Sequence, residues 1–272
     1  MDNKDNSQLL LYFSCHVSIM MIENAIVKPS LMNEEDSMER LTRLIIERDD
    51  LLYHVAPDLR AEYMMKVGAL ENLVWKKRLE LSMAKRRLNL IRSYLNRDDE
   101  PDMIEIEAVI EYEYEDLMQE LRERNDEMKA IMDYIDSECL TQEESKELRD
   151  LYTKIVKRLH PDVNPNAADE DILLFEKAVK AYKSGNLDMI RAIYYTMDPD
   201  KAEAIYVEDL KTKIAEVLAQ IEKIKSVYPF DKVSFMKDRE AVRKRNEELN
   251  KIMDSVTEEL QNVNRVIKEL MQ

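Results

Sequence analysis

The chain has 272 residues but only 2 glycines, where average usage of about 7% would place about 19. Glycine-rich phosphate loops, dinucleotide-binding turns and the many tight turns of a β-sandwich need φ > 0 or a close backbone approach. Neither Gly68 nor Gly185 stands in a G-x-G-x-x-G or G-x-x-x-x-G-K pattern, so those classes are excluded. With 41 basic and 57 acidic side chains the net charge is −16, which repels nucleic acid unless basic residues are segregated into a patch.

What remains is an all-α chain. Charged residues make up 36% of it, and the good helix formers Leu, Glu, Lys, Arg, Met and Ala dominate. A hydrophobic share of 45% is enough to build a core. Cys15 and Cys139 lie far apart and form neither a disulfide framework nor a zinc spacing, which fits a reducing, cytoplasmic setting.

The apolar runs Leu9–Phe13 and Val17–Ile22 are interrupted by Ser14, His16 and Ser18, and are too short and polar for a membrane span. Asp2, Lys4 and Asp5 do not form the cationic start of a signal peptide. Residues 9–27 are expected to form a buried or partner-covered helix, with a weak membrane anchor as the alternative. From Glu34 to Tyr53, Met38, Leu41, Ile45 and Leu52 make a helical stripe that Pro57 is expected to end.

A long helix is expected from Pro57 to Leu95. Val67, Leu70, Val74, Lys77, Leu81, Ala84, Leu88, Ile91 and Leu95 follow in coiled-coil steps of three and four. Asn96–Asp102 reads as a turn. A second long helix over Met103–Ile135 carries Ile106, Ile110, Tyr114, Leu117, Leu121, Met128 and Ile131. Between Lys76 and Arg97 the charge is +7, and between Asp98 and Glu120 it is −11. Two helices of opposite charge joined by a short turn are expected to fold back as an antiparallel hairpin. A nucleic-acid patch is the weaker reading of the basic run, because the acidic helix neutralises it and no aromatics interleave. Gly68 inside this helix reads either as a tolerated flaw or as a close helix crossing.

From Thr141 to Met197 the helices shorten. Thr141-Gln-Glu-Glu144 is a capping box. Leu148, Leu151, Tyr152, Ile155 and Leu159 mark an amphipathic helix that stops at Pro161. Leu174, Phe175, Ala178, Ala181 and Tyr182 mark the next, which Gly185 closes at a C′ position suited to left-handed geometry. A last short helix covers Leu187–Thr196. Beyond it, a seam at Leu210, Ile214, Val217, Ile221, Ile224 and Tyr228 breaks at Pro229. Another seam then runs through Leu249, Ile252, Val256, Leu260, Val263, Ile267 and Leu270, and the short break predicts a second helical hairpin.

Leu159-His160-Pro161-Asp162, with Tyr152 eight residues before His160, resembles helix II and the HPD loop of a J-domain. Phe175 followed by Ala181-Tyr182 resembles its helix III. The string LYTKIVKRLHPDVNP…LFEKAVKAYKSGNLDMIRAIY is similar to the J-domain of a group of DnaJ-like proteins from Gram-positive bacteria in which helices surround that domain. The likeness covers about fifty residues. The usual D-Y-Y-x-x-L-G start of helix I, a glycine/phenylalanine linker and zinc repeats are missing.

The composition, the seams and the breaks, with the resemblance for the third part, give an all-α organisation of four parts: an N-terminal helical segment (1–56), an antiparallel helical hairpin (57–136), a J-domain-like module (137–198) and a C-terminal helical hairpin (199–272). The remaining expectations come from the resemblance. It implies a J-like core of Leu151, Tyr152, Ile155, Leu159, Phe175, Ala178, Ala181 and Tyr182. It also implies a DnaK-type chaperone as partner, docked through Lys154, Lys157, Arg158, His160, Pro161 and Asp162, whose ATP hydrolysis the chain stimulates. No catalytic residue, cofactor or metal of the chain's own is implied.

The residues agree in part on physical grounds. Lys154, Lys157 and Arg158 stand at i, i+3 and i+4 on one face, a local reversal of sign in an acidic chain that suits an acidic partner. His160 and Asp162 are expected at an exposed apex. The other reading of His160 is a helix-terminal cation favoured by the helix dipole. The helical arms suit a client, a scaffold protein or a second copy of the chain. A coiled-coil scaffold with a degenerate J-like module is the alternative function.

Overall fold

The computed structural model describes residues 34–135, 140–165, 167–197 and 210–272, and among them the fold is all-α. The helices are α1 (Glu34–Asp50), α2 (Ala56–Tyr63), α3 (Ala69–Leu95), α4 (Met103–Glu113), α5 (Glu115–Ile135) and α6 (Gln142–Leu159). They continue with α7 (Asp169–Lys183), α8 (Leu187–Thr196), α9 (Leu210–Lys225), α10 (Val233–Lys237) and α11 (Arg239–Leu270). The described residues fold into two compact units, each built from two separate stretches: those up to Leu59 with those from Ile135 to Asp231, and those from Arg60 to Tyr134 with those from Lys232 to Gln272. The expected apolar helix over residues 9–27 and both cysteines lie outside the described residues.

Unit one surrounds a single core. Leu41 and Ile45 of α1 meet Tyr152, Ile155 and Val156 of α6, Ala178 and Tyr182 of α7, Ile190 of α8, and Val217 and Ile221 of α9. All eight residues expected to form the core of the small module are buried. Charged contacts fix α9 along α1: Lys225 Nζ lies 2.9 Å from Glu47, and Arg48 donates to Gln220 at 3.3 Å. Arg191 of α8 grips Glu147 of α6 with two hydrogen bonds of 2.8 and 2.7 Å.

Pro57 does not end a helix. It sits in the first turn of α2, directly after a π-helical turn over Leu51–Val55 in which Ala56 N–H donates to the Leu51 carbonyl. Proline lacks an N–H and its ring crowds the carbonyl four residues back. A wider local turn relieves that crowding, so helical backbone carries on through the proline. A second π-helical turn, Met64–Gly68, precedes α3. A Cβ on Gly68 would meet Met64 Sδ at 3.2 Å and the Tyr63 ring at 3.3 Å. The crowding comes from the preceding turn of the same segment, so the expected helix crossing at Gly68 is not what the glycine accommodates.

In unit two α3 and α4 do form an antiparallel pair. Asp102 caps α4 by accepting from Ile104 and Glu105 N–H, and Ile91 packs with Ile106 and Ile110. Arg86 binds Glu113 and Arg87 binds Glu107, each through two hydrogen bonds of 2.5 to 2.7 Å. The opposed charge runs thus meet at two bidentate pairs. The acidic helix is interrupted at Tyr114, which separates α4 from α5.

Most of the α3 seam faces a different partner. Val67 and Val74 pack with Leu249, while Leu81, Ala84 and Leu88 pack with Val263, so α3 and α11 run parallel. Arg245 on Glu71 (2.7 Å) and Lys85 on Glu259 (2.7 Å) follow the same register. The C-terminal hairpin expected over 199–272 does not form: α9 belongs to unit one and α11 to unit two. Each seam is apolar enough to pair with either, and a short break does not specify which neighbour it takes.

Gly185 adopts φ +65°. Its N–H donates to the Tyr182 carbonyl and Asn186 N–H to that of Ala181, closing α7 with a Schellman motif. Gly185→Ala is expected to lower stability by roughly 1–2 kcal/mol, the cost of left-handed backbone for a residue with a Cβ. Denaturant unfolding measures this.

Candidate functional site

Helix α6 is set at both ends by local chemistry. Glu144 N–H donates to Thr141 Oγ1 at 3.2 Å and Thr141 N–H donates to Glu144 at 2.9 Å, completing the expected capping box. Acids occupy its first turn, and Lys157 and Arg158 its last, as the helix dipole favours. His160 leaves helical backbone at ψ 127°, the extended geometry that a following proline imposes. The turn then closes on itself. Val163 and Asn164 N–H donate to the His160 carbonyl at 2.9 and 2.7 Å, and Asn164 Nδ2 donates to the Arg158 carbonyl at 3.0 Å.

His160 is not at an exposed apex. It is only 5% exposed, and its ring meets Phe175 of α7 edge-on at 4.9 Å. Its Nδ1 accepts the Asp162 N–H at 3.0 Å, so the imidazole stitches the turn from inside. Burial pushes its pKa down to about 4; the Asp162 carboxylate opposes this, and Arg48 and Lys213 reinforce it. His160 is therefore neutral at pH 7 and is not the helix-terminal cation.

Pro161 is exposed, whereas Asp162 is half-buried and pairs with Lys213 of α9. Burial raises the Asp162 pKa, but the Lys213 hydrogen bond, His160 and Arg48 together outweigh it and hold the carboxyl below its ordinary value. Lys154 is exposed, with its ammonium 5.3 Å from the centre of the Tyr194 ring of α8. Lys157 and Arg158 are half-buried on the same helix. The six candidate docking residues thus lie together at the C-terminal end of α6, with Asp162 already engaged.

Sequence reasoning missed the support beneath this turn. The rings of Tyr152 and Tyr182 stack 3.9 Å apart and 6° from parallel. Tyr152 Oη donates to Asp49 at 2.8 Å, and Tyr182 Oη donates to Asp50, consecutive residues at the end of α1. Arg48 binds the other oxygen of Asp49, and Arg149 that of Asp50. Burial raises the Asp49 pKa, opposed by Arg48 and Tyr152, and burial also pushes both phenols far up. A signal was present: two tyrosines on apolar faces each need a partner for a hydroxyl, and the Asp49-Asp50 pair ends an apolar stripe.

Among the described residues no His, Cys, Asp and Glu cluster has the arrangement of a metal site, and no helix is long and apolar enough to cross a membrane. Comparison of the chain with known protein families, curated proteins and solved structures returns no match.

Two outcomes follow. A histidine held neutral in the fold stabilises it fully above its unfolded pKa of about 6.5. That contribution is lost as pH falls from there towards about 4, by up to roughly 3 kcal/mol. Denaturant unfolding between pH 7 and 5 should show a slope that flattens in His160→Gln. Tyr152→Phe leaves Asp49, 2% exposed, with one hydrogen-bond partner fewer. It should cost about 1–3 kcal/mol, read from thermal unfolding.

Proposed function

We propose that the chain is a J-domain-like co-chaperone. It docks on a DnaK-type chaperone through α6 and the His160-Pro161-Asp162 turn and stimulates that chaperone's ATP hydrolysis. The observation that carries this reading is the turn itself: an HPD sequence closing a basic amphipathic helix that packs, through Tyr152 on Tyr182 and His160 on Phe175, against a second helix. The cations Lys154, Lys157 and Arg158 on that helix favour an acidic partner and speed its approach. The role is one of binding and needs no catalytic group of the chain's own. Unit two, with its long α3–α11 pair, offers a separate surface for a client or scaffold protein.

A second reading is a structural protein in which the J-like module is degenerate. The burial of His160 and the pairing of Asp162 within the chain favour it. The two separate in one measurement, the steady-state ATPase of a bacterial DnaK with increasing amounts of the protein. The co-chaperone reading expects stimulation by the wild type, lost in Asp162→Asn, with both proteins equally folded by circular dichroism. Stimulation that survives Asp162→Asn, or none by the wild type, leaves the structural reading.

A further inference from the structure

The candidate docking turn carries charges of both signs, and they stand in different states. Among the described residues, no carboxylate is seated on Lys154, Lys157 or Arg158 at the C-terminal end of α6; Lys154 lies over an aromatic ring instead. Asp162, the only acid in the turn from Leu159 to Asn164, is held by a lysine more than fifty positions away, Lys213 on α9. That lysine is not a stray surface contact. Ile214 and Val217, one and four residues on, are buried in the unit-one core, so the backbone carrying Lys213 is anchored beside the turn. Lys225 and Gln220 tie the same helix to Glu47 and Arg48 of α1. Arg48 adds a second positive charge near Asp162.

A partner that reads the turn through its carboxylate must bring a cation of its own, and Lys213 occupies that place. From this geometry we infer that Lys213 is an internal competitor: it occupies Asp162 in the free protein and is displaced when the partner docks, which weakens docking. The inference rests on the co-chaperone reading. Both side chains remain partly exposed, at 30% for Lys213 and 39% for Asp162. The pair is therefore of the modest, exchangeable kind, whose removal changes an equilibrium by about two- to fivefold. A buried pair would lock the turn and bar the partner; this one sets a threshold.

The test is a titration of the full-length protein into bacterial DnaK with ATP, reading the concentration that gives half-maximal ATPase stimulation. Lys213→Gln should lower that concentration about two- to fivefold at low ionic strength, with less difference at high salt. Lys213→Arg, which keeps the pair, should match the wild type. As a check that does not involve the chaperone, the Asp162 carboxyl followed by NMR should titrate at higher pH in Lys213→Gln. Wild-type stimulation with an unchanged or raised half-maximal concentration in Lys213→Gln would overturn the competitor role and leave the co-chaperone reading intact. Absence of stimulation by wild type and variant alike would overturn both.

Discussion

Two phenol rings lie face to face in the middle of unit one, and each gives its hydroxyl to one of two neighbouring aspartates. Neither half of this arrangement is tolerable alone. A buried phenol without an acceptor loses a hydrogen bond, and a buried carboxylate without donors carries a much larger desolvation cost. Consecutive residues on a helix point about 100° apart, so Asp49 and Asp50 reach different tyrosines in one register only. Sliding α1 by a single residue would orphan two carboxylates and two hydroxyls together. The stack therefore fixes α1 against both α6 and α7, and His160 on Phe175 then seats the turn against that frame.

Charge plays a different part in unit two. Part of the basic run of α3 is consumed within the chain: Arg86 by Glu113 and Arg87 by Glu107 on one side, and Lys85 by Glu259 on the other. These are partly exposed pairs, each worth little in stability. Their value lies in selecting partner and register, since a misaligned α4 would bring carboxylates against apolar positions and leave guanidinium groups unmatched. A chain with net charge −16 can in this way hold a concentrated basic segment without presenting it whole to polyanions.

Periodicity made the helices legible, because amphipathic stripes at steps of three and four depend only on local spacing. Short-range chemistry was equally readable: the Thr141 capping box and the left-handed Gly185 each involve residues within a turn of one another. Pairing between distant helices was not. The seams through Val217 and through Val263 look alike in sequence, yet one serves α1 and the other α3. The acidic partner of α3 could be named because its charge is opposite and adjacent; the apolar partner α11 carries no such label. At the candidate site the cations and the HPD turn were visible, but the inward turn of His160 was not. It depends on Phe175 and on the Asp162 amide, and Lys213 enters from a helix whose neighbours the sequence does not declare.

The way the two units are threaded has a consequence for how the chain acquires its structure. Contacts that complete unit one join residues 172 and 178 positions apart, and those that complete unit two join residues 170, 174 and 180 apart. All-helical proteins usually fold fast because their contacts are local. Here the closing contacts are long-range, so loop-closure entropy is spent before the seams repay it. During synthesis, the part of the α1 face that α9 covers and most of the α3 seam would stay bare until about the last quarter of the chain is made. A protein of the kind proposed for client handling would thus itself be, for most of its synthesis, the sort of chain that chaperones attend.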